Sequence, residues 1–279
     1  MKNIRIVATL LLLLGIMASG YAQKDPKELT KADEAFQYDE YAEAIELYKE
    51  AYAKVGDKVK KAEIIFKTAL CYKHLGKPKE AELWFKKAIS VKYPNPITVL
   101  YYADAMKMNE KYDEALIQYE KYRKLVPDDE RGKNGVESCK LVAKWKEKPT
   151  RYKVNNKAFF NSQQSDYSPA FGKKDYSILY FSSTREGASG NNTHKVTGEA
   201  PPDIFETTKD RKGKWSAPAP IAGEELNTEV SEGTPSLNGK FNTMYFTKCS
   251  QAKGQHIGCN AELALEILWK YQLLQILLQ

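Results

Sequence analysis

Small and aromatic side chains recur at helical spacing between about residues 29 and 127, and one phrase is written there three times. The copies are residues 41–51 (YAEAIELYKEA), 78–88 (PKEAELWFKKA) and 112–122 (YDEALIQYEKY). In each, an Ala is followed four residues later by an aromatic and three after that by Ala or Tyr. The sets are Ala44, Tyr48, Ala51; Ala81, Phe85, Ala88; and Ala115, Tyr119, Tyr122. Spacing i, i+4, i+7 lies on one face of a helix. The copies stand 37 and 34 residues apart, the length of one helix–turn–helix unit.

A preceding helix is predicted before each phrase. Asp25 and Pro26 open the first, which carries Ala32 and Ala35; the second runs from about Lys60 to His74, with Ala69 and Tyr72 facing inward; Pro96 opens the third, which carries Ala103 and Met106. Tyr38-Asp39-Glu40, Gly76-Lys77-Pro78 and Asn109-Glu110-Lys111 supply the turns, with Gly after a helix end and Pro starting the next helix in the second. The longer first offset predicts an extra helical turn in the second helix of unit one or at its exit. After Pro127, Asp128 and Asp129 can cap a further helix reaching about Lys146, with Val136, Leu141, Val142 and Trp145 as its apolar face. It should close the stack, because an open end exposes apolar surface.

From Arg151 the pattern changes to short runs with Tyr, Phe, Ser, Thr, Gly and Pro. DYSPAF at 166–171 leads through a turn to ILYFSS at 178–183, and EGTPSL at 232–237 leads through a turn to TMYFTK at 243–248. The two prolines, Pro169 and Pro235, are 66 residues apart. Each copy reads as a β-hairpin. Between them, PDIFETT at 202–208 and GKWSAPAPI at 213–221 read as third and fourth strands. The polar stretch 187–202 reads as an insertion, and Trp215 as an apolar plug between sheets. Residues 261–279 are Leu-rich and helical in propensity, and break the strand pattern. They are either foreign to the rest of the chain, as after a frame change in a truncated gene, or a helix covering an open sheet edge.

Composition places the chain rather than naming its chemistry. A basic start with Lys2 and Arg5, an apolar run over 6–18 and small residues at Gly20 and Ala22 form a secretory signal pattern over 1–22, with a cut before Gln23. The apolar run is short for a bilayer span, so no integral span is expected after its removal. The net charge is +7 with the signs interleaved, which describes a solvated surface and not a nucleic-acid stripe. Cys71 and Cys139 fall in helices and read as buried small apolar residues. Cys249 and Cys259 flank a polar loop that a disulfide could close in an oxidising compartment. His256 is the one His near them, too few ligands for zinc, so no metal is expected. No P-loop, GxSxG, HExxH or dinucleotide fingerprint is present. No catalytic residue and no cofactor is expected, and the protein is not read as an enzyme.

The threefold phrase resembles the tetratricopeptide repeat. The resemblance places the small residue where a unit's two helices cross at Ala32, Ala69 and Ala103, and its partner in the second helix at Ala44, Ala81 and Ala115. It implies an α-solenoid over 23–148, including the capping helix, whose first helices line a concave face. Asp33, Gln37, Leu70, Lys73, His74, Asp104, Lys107 and Met108 would then face a groove for a peptide or protein partner. They would equally serve as solvated residues on a short spacer.

The strand phrases resemble the WD-like, TolB-like β-propeller repeat, implying about one and a half blades over 149–260. The fold class is therefore multidomain, α then β: a tetratricopeptide solenoid followed by an incomplete β-propeller. A signal peptide, this solenoid and this propeller in order resemble envelope proteins of the OmpA/PorE-like family, which continue into an OmpA-like peptidoglycan-binding domain. That domain is not in the sequence, so peptidoglycan contact is implied only if one follows. The resemblance implies an exported protein–protein interaction scaffold of the periplasm, associated with the outer membrane. Its partners would be envelope proteins, its context type IX secretion, gliding or envelope anchoring. The alternative is a periplasmic ligand- or glycan-binding propeller protein.

Overall fold

The computed structural model describes residues 25–190, 193–221 and 226–249. The signal-like start at 1–22, the Leu-rich stretch at 261–279 and Cys259 lie outside the described residues.

The first part is a tetratricopeptide-like stack of helices. Unit one is α1 (Lys27–Gln37) and α2 (Tyr41–Lys54), unit two α3 (Lys58–His74) and α4 (Pro78–Ser90), and unit three α5 (Ile97–Met108) and α6 (Tyr112–Leu125); α7 (Glu130–Glu147) follows. Each helix packs on the next in sequence. The repeated small residues are where the helices meet: Ala32, Ala69, Ala103, Ala44, Ala81 and Ala115 are all buried. Tyr48, Phe85 and Tyr119 fill the space beside them and are buried too. Close approach of two helices needs a small side chain at the crossing, and a buried aromatic contributes roughly 1.5–3 kcal/mol.

The turns repeat as well as the cores. Asp39, Gly76 and Glu110 have φ of 60°, 64° and 62° and occupy equivalent places in the three units. A left-handed residue is what lets the second helix of each unit double back on the first. Only the middle unit uses glycine, so Asp39 and Glu110 adopt that conformation at a steric cost.

Two expectations about the helices need correction. The extra turn implied by the longer first offset lies at the start of α3, which has 17 residues against 12 in α5, and not in α2 or at its exit. Asp57 caps that extension, its side chain accepting from the amides of Val59 and Lys60 at 2.7 and 2.9 Å. On α7, Asp129 is the cap, as its position suggests, but the buried side is Gly132, Gly135, Val136 and Cys139. That stripe continues to half-buried Val142 and to Lys146, whose ammonium lies 5.3 Å from the ring of Tyr112. Leu141 and Trp145 are off it and face solvent at 40% and 62% exposure. Glycines let α7 sit directly on the tyrosine rings of α6, and that contact sets its rotation.

The second part is antiparallel β-structure. β1 (Asp166–Phe171), β2 (Ile178–Ser183), β3 (Asp203–Thr208) and β4 (Ala219–Pro220) form one sheet in that order; β5 (Glu232–Leu237) and β6 (Met244–Lys248) form a second. The fourth strand, expected across 213–221, pairs only at its end, over Ala219 and Pro220. Its earlier part makes one bridge, Lys209 to Trp215. The two hairpins share their irregularities. Each first strand carries a bulge, with Ser168 and Thr234 at φ 52° and 51°, directly before Pro169 and Pro235. Each turn holds a left-handed aromatic, Tyr176 and Phe241, both at φ 56°. The same local chemistry thus builds the same hairpin twice. β5 packs across β1, β2 and β3, and Tyr180, Ile204, Leu226, Met244 and Phe246 form the shared core. Trp215 does not plug the space between the sheets. Its ring meets Phe160 edge-on at 5.4 Å, with the Lys209 ammonium 4.9 Å from it.

Candidate interaction surface

The eight residues singled out for a groove all lie on α1, α3 and α5, but their side chains have three different jobs. Asp33 and Asp104 are tied into the packing. The Tyr48 hydroxyl donates to Asp33 at 2.7 Å and the Tyr119 hydroxyl donates to Asp104 at 2.6 Å. Burial, and then the neighbouring carboxylate, push both phenols well above the ordinary tyrosine range, so they remain neutral donors. Asp33 also accepts from Lys67 at 2.9 Å, which joins unit one to unit two.

Unit two lacks this pair. Leu70 stands where the aspartates stand, packed against the cluster that holds Phe85. The rule is legible in the sequence: fifteen residues separate Asp33 from Tyr48, Leu70 from Phe85, and Asp104 from Tyr119. Where the buried aromatic has a hydroxyl, the first helix supplies a carboxylate; where it has none, the first helix supplies a leucine. A buried hydroxyl without an acceptor loses its bond to water for nothing. Reading each helix separately hides this pairing, because the partners lie on different helices.

This pairing yields a test. Asp104→Leu alone strands the Tyr119 hydroxyl and is expected to cost about 1–3 kcal/mol. Combined with Tyr119→Phe, it copies unit two and should recover most of the loss, a coupling of about 1 kcal/mol or more in a double-mutant cycle. Urea unfolding of the three variants measures it, and additive losses would refute the pairing.

Lys73 and Lys107 reach across units. The Lys73 ammonium lies 4.7 Å from the Tyr101 ring on α5. That of Lys107 lies 5.6 Å from the Tyr119 ring and donates to Ser138 on α7 at 3.3 Å. Gln37, His74 and Met108 remain exposed. His74 stacks face to face on Tyr41, with ring centroids 4.5 Å apart. Loss of solvent there, and then the charge of Lys73, lower its pKa, so it is neutral at pH 7.

Met108 also borders an open cleft of about 690 Å³ between the start of α4 and the α5–α6 turn. Met108 and Leu83 give it an apolar floor at 59% and 65% exposure, and Lys79 and Lys86 stand on its wall. Glu82 is held on the same wall by Asn109 and Lys111, both at 2.7 Å. Glu110 lines it as well, so three lysines stand against two glutamates and the cleft suits an apolar side chain with a mildly acidic flank.

Cys71 and Cys139 are free and buried, and burial raises the Cys71 thiol to about 12, which leaves it inert as a nucleophile. Cys249 is disulfide-bonded; its expected partner Cys259 lies outside the described residues. Among the described residues no group of three His, Cys, Asp or Glu could hold a metal ion, and no helix is long and apolar enough to cross a membrane.

No family model and no curated protein matches the chain. Solved structures of tetratricopeptide domains are similar to it. The first such domain of Spaghetti (RPAP3), bound to an HSP90 peptide, is 21% identical, with a TM-score of 0.39, over 44% of this chain and 95% of that one. The second such domain of human RPAP3, in complex with an HSP70 peptide, is 23% identical, with a TM-score of 0.36, over 40% and 92%. The Sgt2 domain of Aspergillus fumigatus is 20% identical, with a TM-score of 0.39, over 49% and 92%.

Proposed function

We propose that this chain is a protein–protein interaction scaffold, exported to the periplasm and associated with the outer membrane. In this reading the helical stack is the partner-binding arm and the two sheets are consecutive propeller blades. The observation that carries the binding role is the exposed set Gln37, His74 and Met108. These stand at the ends of successive first helices, and Met108 borders a cleft with an apolar floor and three lysines. The twice-built bulged hairpin supports the blade reading, since repeated blades need the same strand geometry at each step. The signal-like pattern at 1–22 supports export. Envelope proteins of the OmpA/PorE-like kind, serving type IX secretion, gliding or anchoring, are the context that the order of parts suggests. The proposed role is binding and not catalysis.

Site-specific photo-crosslinking in cells tests it. A photoreactive residue at Gln37, His74 or Met108 should give one discrete adduct with an envelope protein. The same group at Ile117, exposed on α6, should give none. Equal labelling from both places, or no adduct from the three, removes the reading. Cell fractionation, with N-terminal sequencing of a mature chain starting at Gln23, tests the location separately.

A further inference from the structure

The polar stretch between β2 and β3 reaches the far end of the helical stack. The Lys195 carbonyl accepts from the amides of Ala42 and Glu43 at 3.1 and 3.2 Å, and the Val196 carbonyl from Ala42 at 3.3 Å. Those amides open α2, whose preceding residue Glu40 makes no side-chain cap. The first N–H groups of a helix have no acceptor within it. The second helices of units two and three also lack a side-chain cap. Among the described residues, α2 is the one of the three that receives acceptors from the β part.

The contact is charged and close. The Lys195 ammonium lies 2.7 Å from Glu43 and 3.6 Å from Glu40. Gly198, at φ +74°, comes so near that a Cβ there would sit 3.1 Å from the Ala42 methyl. The segment is also held in shape. His194 N–H donates to the Glu199 carbonyl at 2.8 Å and Gly198 N–H to the His194 carbonyl at 2.7 Å. The Glu199 carboxylate then accepts from Thr184 at 2.6 Å, at the end of β2. A continuous path of bonds therefore runs from the sheet through Glu199 to the start of α2.

The chain order makes this contact informative. The β part follows α7, at the opposite end of the stack from α2. The exposed linker between α7 and the first residue held by the β part, Phe160, is residues 148–159 and can span up to roughly 40 Å, enough to return past helix layers roughly 10 Å apart. We propose that residues 194–199 are an intramolecular latch. The β part folds back and caps α2, so the turn edge of unit one is an interaction surface already taken by the chain's own segment. Partners keep the exposed end of α1 at Gln37 and the edge of units two and three, where the cleft lies.

Hydrogen exchange on the full chain tests the latch. Lys195→Glu places like charges against Glu43 and Glu40, and Gly198→Val wedges the contact without changing charge. Either change should speed exchange of the Ala42 and Glu43 amides at least about tenfold, the loss expected when a helix's first turn loses its acceptors. Small-angle scattering should show a longer molecule, with helical circular dichroism unchanged. Glu43→Lys should open the latch as well, and adding Lys195→Glu to it should restore part of the protection, with Glu40 limiting the recovery. Amides that exchange as fast in the unaltered chain as in the variants would overturn the latch, as would fast exchange in the single charge variants with no recovery in the pair.

Discussion

Arg185→Met is expected to destabilise the four-stranded sheet by about 3–5 kcal/mol, the cost of breaking a buried ion pair from one side. Arg185 and Asp166 are nearly buried, at 13% and 10% side-chain exposure, and meet at 2.5 Å. The guanidinium also donates to the Phe160 carbonyl at 2.5 Å and the Ser183 hydroxyl at 2.8 Å. Its central carbon lies 4.9 Å from the centre of the Phe181 ring and 5.3 Å from that of Phe205. Methionine keeps much of the apolar contact but leaves the Asp166 carboxylate in a dry place without its counter-charge. Faster exchange of the β1, β2 and β3 amides, with the helices unaffected, is the expected signature; unchanged exchange would show the pair to be ornamental.

The same pair predicts an acid dependence. Burial works against ionisation of Asp166, but its bonds to Arg185, Ser162 and Ser183 outweigh that and hold its pKa below the usual carboxylate value. A depressed carboxylate adds stability above its unfolded pKa, about 3.9, and loses it as pH falls through the folded value. The sheet of the unaltered chain should therefore weaken below about pH 4. With methionine at position 185 the largest favourable partner is gone, and that part of the acid sensitivity should shrink.

Gly135→Leu is expected to detach α7 from the stack. A Cβ at Gly135 would sit 2.3 Å from Cδ1 of Tyr119, well inside contact distance. The ring cannot swing away cheaply, because it is 1% exposed and its hydroxyl is held by Asp104. Overpacking of this kind costs about 3 kcal/mol, the upper part of the usual range. Gly132 is more forgiving, with Tyr122 at 3.1 Å. Thermal unfolding and proteolysis within 130–147 measure the effect. A leucine variant as stable and resistant as the parent would mean that α7 does not dock through its glycines.

The helical stack was legible because its signal is local and repeated. Alanine at a crossing and an aromatic four residues on lie on the same helix turn, and three copies agree. Its details were less so. Leu141 and Trp145 look like a buried face by hydrophobicity, yet contact of Gly132 and Gly135 with Tyr122 and Tyr119 turns them outward. The groove residues show the same limit. Asp33 and Asp104 have the composition of a binding face, but each answers a tyrosine fifteen residues away on another helix.

Sequence alone determined the units, their turns, the crossing residues and the two hairpins, because each depends on spacing within a few residues of chain. Tertiary structure alone decided which polar side chains are spent inside the stack and which stay open, since that depends on partners from other helices. It also decided that the stretch between β2 and β3 returns to cap α2. A carbonyl that satisfies amides some 150 residues earlier in the chain leaves no periodic trace, because backbone groups are the same whatever the side chains are.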